Sequence, residues 1–390
     1  MRNITKPTTA KCNRAIYTLF LLCEPKYVSC VRLAQILGNL SHDSINRFLW
    51  REDYTPKDLF DEVAPQIELE GGTLSVDDTV IDRPYSNQAK AELIDYFYSG
   101  KHKKVVKGIN VVTLYYTDGQ GLSVPVNYRI VNKQEGKTKH EYFLEMLAEV
   151  KAWGLKAETA TGDSWYASKN NLNTIKDKGF QGLFALEANR LVSVELETKY
   201  VQVQTLDIPQ DGLIVYLKQV GRVKVFRTVL KNEIRYYVMF VPNLDKLDSI
   251  TWREFQKIHD QHWGIEEYHR ALKQVCNIER FQVRESRAIR THIFCAIRCF
   301  VQLECLRFKG QIINWYSLQR NLFTEVIRSF IVNNLESNCL LTFPVIFFFE
   351  RSPNFSLSQS LILSSAIVIK SSLLKTAKSL KPSCCRHFQT

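Results

Sequence analysis

The segment Glu158-Thr-Ala-Thr-Gly-Asp-Ser-Trp-Tyr-Ala-Ser168 decides the fold. Residues 158–162 read as a short strand that ends at Asp163. A helical turn follows near Trp165, for which Asp163 is also a suitable N-cap. Upstream, residues 140–153 have helical periodicity, with Phe143, Leu144, Leu147 and Val150 on one face. Three strand-like runs precede that helix. Residues 73–77 alternate and end at Asp77, residues 105–116 are rich in β-branched and aromatic types, and residues 122–131 return after the turn Thr117-Asp-Gly-Gln-Gly121.

Three antiparallel strands, a helix and a further strand give the element order of a ribonuclease-H-like core, a mixed α/β class. Downstream, residues 191–203, 213–219, 223–230 and 234–241 read as strands of a β-rich insertion. The chain then turns helical from Trp252 to about Arg307 and on to about Val332. The first seventy residues read as helical. Val31-Arg-Leu-Ala-Gln-Ile-Leu-Gly38 ends at a glycine, and Ser41 is a plausible cap for a second helix through Leu49. That outline fits either a helix-turn-helix, with Ser44, Asn46 and Arg47 facing DNA, or a packed helical hairpin. The expected organisation is a helical DNA-binding region (1–70), a first part of the core (71–190), the insertion (191–247), a helical completion (248–332) and an atypical tail (333–390). The tail, Ser/Leu-rich with few acids, reads either as a frameshifted end or as a poorly patterned helical domain.

Composition bounds the function. The 390 residues suffice for a sizeable core, and 45% hydrophobic with 24% charged residues excludes a disordered chain. A net charge of +12, from 52 Lys and Arg against 40 Asp and Glu, favours a polyanionic partner such as nucleic acid. The ten cysteines are scattered and follow no signal-peptide pattern, so free thiols in a cytoplasmic, nucleoid-associated protein are expected. His292, Cys295 and Cys299 fit one buried helix face better than a metal site, and no apolar run is long enough to span a bilayer.

Phosphodiester transfer needs an activated oxygen nucleophile and neutralised phosphate charge, which two hard cations about 4 Å apart provide. Such cations take carboxylates gathered from several elements. Asp77 stands at the end of the first core strand, Asp163 at the end of the strand that follows the helix, and Glu266 on a helix just after the β-rich stretch. Val76-Asp-Asp-Thr79, Thr161-Gly-Asp-Ser-Trp-Tyr-Ala-Ser168 and His262-Trp-Gly-Ile-Glu-Glu-Tyr-His-Arg-Ala-Leu-Lys273 resemble the three signature segments of DDE transposases from bacterial insertion sequences. The similarity is to the IS-four-like group, which has a β insertion before the last acid. The resemblance places the catalytic, metal-holding triad on Asp77, Asp163 and Glu266, with Asp78 the alternative first acid and Glu267 adjoining the third. It implies two Mg²⁺ or Mn²⁺ ions, terminal inverted repeats and target DNA as substrates, and a homodimeric synaptic complex. It also implies hydrolytic nicking followed by attack of the freed 3′-hydroxyl.

The lysine seven residues after the last acid falls on Lys273, on the same helix face as Glu266. The chain departs from the family in carrying His259 and His262 where Tyr and Arg are frequent. Further expected DNA contacts are Lys103 and Lys104 in a basic cluster, Arg190, Arg284 and Trp165, the last by stacking on an extruded base. The rival readings are a DNA-binding protein without catalysis and a nuclease on the same fold that cuts without joining.

Overall fold

The computed structural model describes residues 11–335 except 89, 90, 92, 197, 198 and 231, with backbone alone at 325, 326 and 330–335. The tail from 336 onward lies outside the described residues. Among the described residues the first elements are four helices: Arg14–Cys23 (α1), Cys30–Leu37 (α2), His42–Arg51 (α3) and Pro56–Val63 (α4). Asn13, Ser29, Ser41 and Thr55 cap them, each side chain accepting a backbone N–H that has no partner within the helix. Gly38 ends α2 at φ +69°, a backbone setting that other residues adopt only with strain.

The core strands are Thr73–Asp82 (β1), Asp95–Ser99 (β2), Lys104–Thr117 (β3) and Ser123–Ile130 (β4). Then come Lys139–Ala152 (α5), Thr159–Gly162 (β5), Lys169–Asp177 (α6) and Gln181–Leu186 (β6). β3 pairs antiparallel with β1 and β4, whereas β5 lies parallel to β1, and β6 to β5. Parallel pairing requires crossovers, which α5 and α6 supply. The order β4-β3-β1-β5-β6 is that expected of a ribonuclease-H-like core. β2 was not anticipated from sequence; only Phe97 and Ser99 of its five residues are buried, so its pattern is weak.

The β-rich stretch extends this same sheet. Leu191–Ser193 (β7), Val201–Gln202 (β8), Leu213–Leu217 (β9), Gly221–Leu230 (β10) and Glu233–Phe240 (β11) continue it in the order β6-β11-β10-β9-β7-β8. The run 191–203, expected as one strand, is two short ones. The Ser193 hydroxyl donates to the Glu195 carbonyl at 2.6 Å, where the first strand ends.

Trp252–Gln274 (α7), Ser286–Phe308 (α8) and Trp315–Leu335 (α9) complete the fold. The helical stretch expected from 252 is divided after α7, where Asn277 takes a positive φ of 58°. Its side-chain amide donates to the carbonyls of Leu21 and Glu24, at the C-terminal end of α1. α8 is buried along most of its length and packs against α1, α3 and β4, so one hydrophobic core joins the N-terminal helices to the sheet. His292, Cys295 and Cys299 lie wholly inside it. His292 is hydrogen-bonded to Tyr17 and to the Asn277 carbonyl, and burial pushes it down to about 3. No helix among the described residues is long and apolar enough to cross a membrane.

Candidate active site

Successive residues of a strand point to opposite faces, and this separates Asp77 from Asp78. Asp77 turns toward α7, where its Oδ2 lies 3.3 Å from His269 Nδ1. Its Oδ1 accepts the Asp78 N–H at 2.7 Å. Burial pushes Asp77 up, but His269, the Asp78 amide and the neighbouring His262 outweigh burial and hold it below the usual carboxylate range. Asp78 turns the other way and is fully engaged. Lys139 Nζ lies 2.8 Å from both its oxygens, Asn110 Nδ2 donates at 2.6 Å, and the Tyr166 hydroxyl at 3.2 Å.

Asp163 follows β5. Gly162 before it lies where an added Cβ would come within 2.8 Å of Val76 and 2.9 Å of Phe184, so the close packing of three strands requires glycine there. Asp163 Oδ1 accepts the Tyr166 N–H at 3.2 Å and caps the short 3₁₀ turn Ser164–Tyr166. The capping reading therefore holds, and the same carboxylate also lies in the field of Asp77. Burial and then the Asp77 charge push Asp163 up to about 7. Glu266, on the α7 surface, is raised by burial and again by Asp77, against the opposing charges of His269, Arg270 and Arg235. For both acids Asp77 is the strongest neighbouring charge. Glu267, one helical step round, acts instead on Tyr115, Arg307 and Tyr316.

His262, Glu266, His269 and Lys273 form one stripe of α7, spaced four, three and four residues apart. His262 is pushed down to about 4, mainly by burial, and is neutral at physiological pH. Its Nδ1 and the Nε2 of His269 are buried without a hydrogen-bond partner. Lys273 Nζ is held by the Val80 carbonyl at 2.7 Å and lies 3.6 Å from Glu279. His269 escaped the sequence reading although it stood three residues after Glu266, a spacing that puts it on the same helix face.

The donor set suits a hard divalent cation: carboxylate oxygens in mutual repulsion, two of them raised, with orphaned polar atoms alongside. Among the described residues, however, no group of three or more acidic, His or Cys side chains is already drawn together at ligating geometry.

Trp165, 60% exposed, stacks on His140 at 5.9 Å, and together with Arg190, Ser164 and Glu187 they line an open cleft of about 430 Å³. Lys103 and Lys104 are exposed at the start of β3, while Lys101 and His102 turn onto Asp82 at 3.6 and 2.8 Å. Arg284 is exposed between α7 and α8, and Arg47 on α3; neither forms an ion pair among the described residues. Ser44, expected to face DNA, is buried instead, and its hydroxyl accepts the Lys11 N–H.

No curated protein matches the chain. Among solved structures it is similar to a piggyBac transposase synaptic complex with hairpin DNA, at 12% identity over 94% of this chain and 79% of that one, with a TM-score of 0.47. A Drosophila P element transposase strand transfer complex matches at 8% identity over 97% and 83% of the two chains, with a TM-score of 0.27. The family model described as "Transposase DDE domain" matches residues 69–301, well over half of the chain and all three acids, so this protein belongs to the DDE transposases, enzymes that act on DNA in transposition.

Proposed function

We propose that the chain nicks DNA at the ends of an insertion sequence and joins the freed 3′-hydroxyls to target DNA, using Asp77, Asp163 and Glu266. DDE transposases generally use divalent metals, and two Mg²⁺ or Mn²⁺ ions are assigned to these acids. The observation that carries the reading is that Asp77 of β1 turns onto α7, 3.3 Å from His269 and on the helix face that also carries Glu266, while Asp163 ends the neighbouring β5 and is pushed up by the Asp77 charge. Such repulsion persists in a fold where a cation relieves it.

When bound, the two cations would neutralise the scissile phosphate and favour ionisation of the attacking water or 3′-hydroxyl. The chain's own groups orient the substrate. Neutral His262 donates a hydrogen bond to phosphate, and Lys273 adds positive charge on the same helix face. Trp165 and Arg190 offer a ring and a guanidinium to a nucleotide beside Asp163. Lys103, Lys104, Arg284 and Arg47 hold flanking backbone, with Arg47 on the second helix of an N-terminal DNA-binding region (1–70). That region precedes a core of 71–190 and 248–332 interrupted by the insertion 191–247. Two copies would synapse two ends. In Mg²⁺, a duplex carrying the element's terminal inverted repeats should yield 3′-hydroxyl nicks and then strand-transfer products. Nicks that never join would reduce the enzyme to a nuclease, and binding without nicks would leave a non-catalytic DNA-binding protein.

His269 positions Asp77 in this reading. Replacing it with Ala should slow cleavage about 10- to 100-fold and raise the Mn²⁺ concentration needed for half-maximal binding by apo protein. Asn can place an amide near the lost Nδ1, so His269→Asn should recover part of both. Unchanged Mn²⁺ binding in the Ala variant would remove His269 from the site.

A further inference from the structure

The hairpin formed by β2 and β3 carries a face that the acidic site does not use. Along β2, Phe97 and Ser99 are buried, whereas Tyr96 and Tyr98 are 52% and 62% exposed. Their register partners on β3 are Lys107 and Val105, the latter 59% exposed. Two tyrosines, a valine and a lysine thus share one solvent-facing surface. An exposed aromatic pair is unfavourable in water unless a partner covers it, and tyrosine suits a partner that is part apolar and part polar.

The charge of this face is one-sided. Asp95 lies on the opposite face, held by Lys133 at 3.2 Å and by Gln88. Asp82 is taken by Lys101 and His102. Among the described residues, no carboxylate of the hairpin is left on the tyrosine side. Lys103, at the turn with φ 49°, and Lys104 stand exposed beside it, and Lys107 is half-buried on it.

The face is also in register with the acids. β1 and β3 pair without a shift from Thr73↔Thr117 to Asp82↔Gly108, and Asp77 is opposite Thr113. Alternation then puts Thr113, Val111, Ile109, Lys107 and Val105 on the same side of β3, the side on which Asp77 meets α7. Lys107 is six residues from Thr113 and Val105 eight, or about 20 and 27 Å along an extended strand. At about 3.4 Å per base pair this spans roughly six to eight base pairs.

We propose that the Tyr96–Tyr98–Val105–Lys107 face of this hairpin binds duplex DNA flanking the cut, about six to eight base pairs from the phosphate held at Asp77. The proposal rests on the DNA-cleaving function given above. The tyrosine hydroxyls donate to phosphate oxygens, the rings and Val105 lie against deoxyribose, and Lys103, Lys104 and Lys107 displace counterions.

The test measures binding of the full chain, by fluorescence anisotropy, to mixed-sequence duplexes of about 12 and about 30 base pairs and to a single strand of the longer length. The double variant Tyr96→Ser/Tyr98→Ser should bind the long duplex about tenfold more weakly and the short one as the wild type does. Lys107→Gln should lower the salt slope for the long duplex by about one. Tyr96→Phe/Tyr98→Phe, which keeps the rings, should fall between wild type and the serine variant. Melting curves would separate these effects from unfolding, and Lys107→Gln gives an independent reading if the serine variant fails to fold. Unchanged affinity for the long duplex overturns the proposal, as does a loss confined to the single strand. A variant whose only change is weaker self-association in sedimentation overturns it too, because the face would then meet a second copy. A wild type that binds no duplex defeats this proposal and the cleavage reading together. A wild type that cuts DNA while both variants bind the long duplex normally defeats this one alone.

Discussion

Asp163→Asn should lower metal-dependent cleavage of end-bearing DNA by a factor on the order of 10⁴ while leaving DNA binding intact. The amide keeps the Oδ1 that caps the turn Ser164–Tyr166, so the local backbone is preserved. It removes the charge needed to hold a divalent cation. The same substitution has a consequence for stability with a definite sign. Asp163 titrates near 7 in the folded chain because burial and Asp77 oppose its ionisation. An acid raised in this way contributes nothing unfavourable below the ordinary carboxylate range, and destabilises the fold progressively as pH rises from about 4 to about 7. The metal-free Asn variant should therefore melt above the wild type at pH 8 and match it near pH 4. Mg²⁺ should stabilise the wild type at pH 8 and not the variant. Cleavage that survives in Asp163→Asn would refute the assignment, and a variant that melts lower at pH 8 would refute the electrostatic account of the site.

Asp77 and Asp78 should part company just as sharply. Asp77→Asn should abolish cleavage to a similar degree with a modest change in melting temperature, since its amide oxygen can still accept the Asp78 N–H. Asp78→Asn should instead lower stability by about 2 kcal/mol, because the half-buried Lys139 ammonium loses its counter-charge. It would also loosen the Tyr166 hydroxyl that ties the turn after Asp163 to β1. Cleavage by Asp78→Asn should persist at reduced rate. An active Asp77→Asn beside a stable but dead Asp78→Asn would exchange their roles. Melting curves and initial cleavage rates on the two proteins decide the matter.

The order of elements was legible in the chain because each carries a local signal. β3 and β4 announce themselves through β-branched runs and turn chemistry, and α5 through its apolar stripe. Ser41 and Gly38 likewise mark helix ends by their own backbone chemistry. The acidic segments could be read from short-range residue patterns, although the strand expected to end at Asp77 runs on to Asp82, because its pairing with β3 continues without a shift to Gly108. β2 was missed because its alternation covers only five residues. The breaks at Ser193 and Asn277 were missed because they depend on particular hydrogen bonds, one of them to α1 more than 250 residues away.

By itself the sequence determined a mixed α/β core, the order of three candidate acids along it, the spacing of Glu266 and Lys273 on one helix face, and the basic balance. It left Asp77 and Asp78 unresolved, since adjacent identical residues carry the same local signal. Only the tertiary structure separated them, by sending one carboxylate toward His269 and α7 and the other into Lys139, Asn110 and Tyr166. It likewise put Glu266 in the field of Asp77 and Glu267 in that of Arg307. The reason is physical. Which face a strand or helix residue occupies follows from local geometry, but what waits on that face is supplied by segments distant in the chain. A carboxylate's ionisation is set by those neighbours.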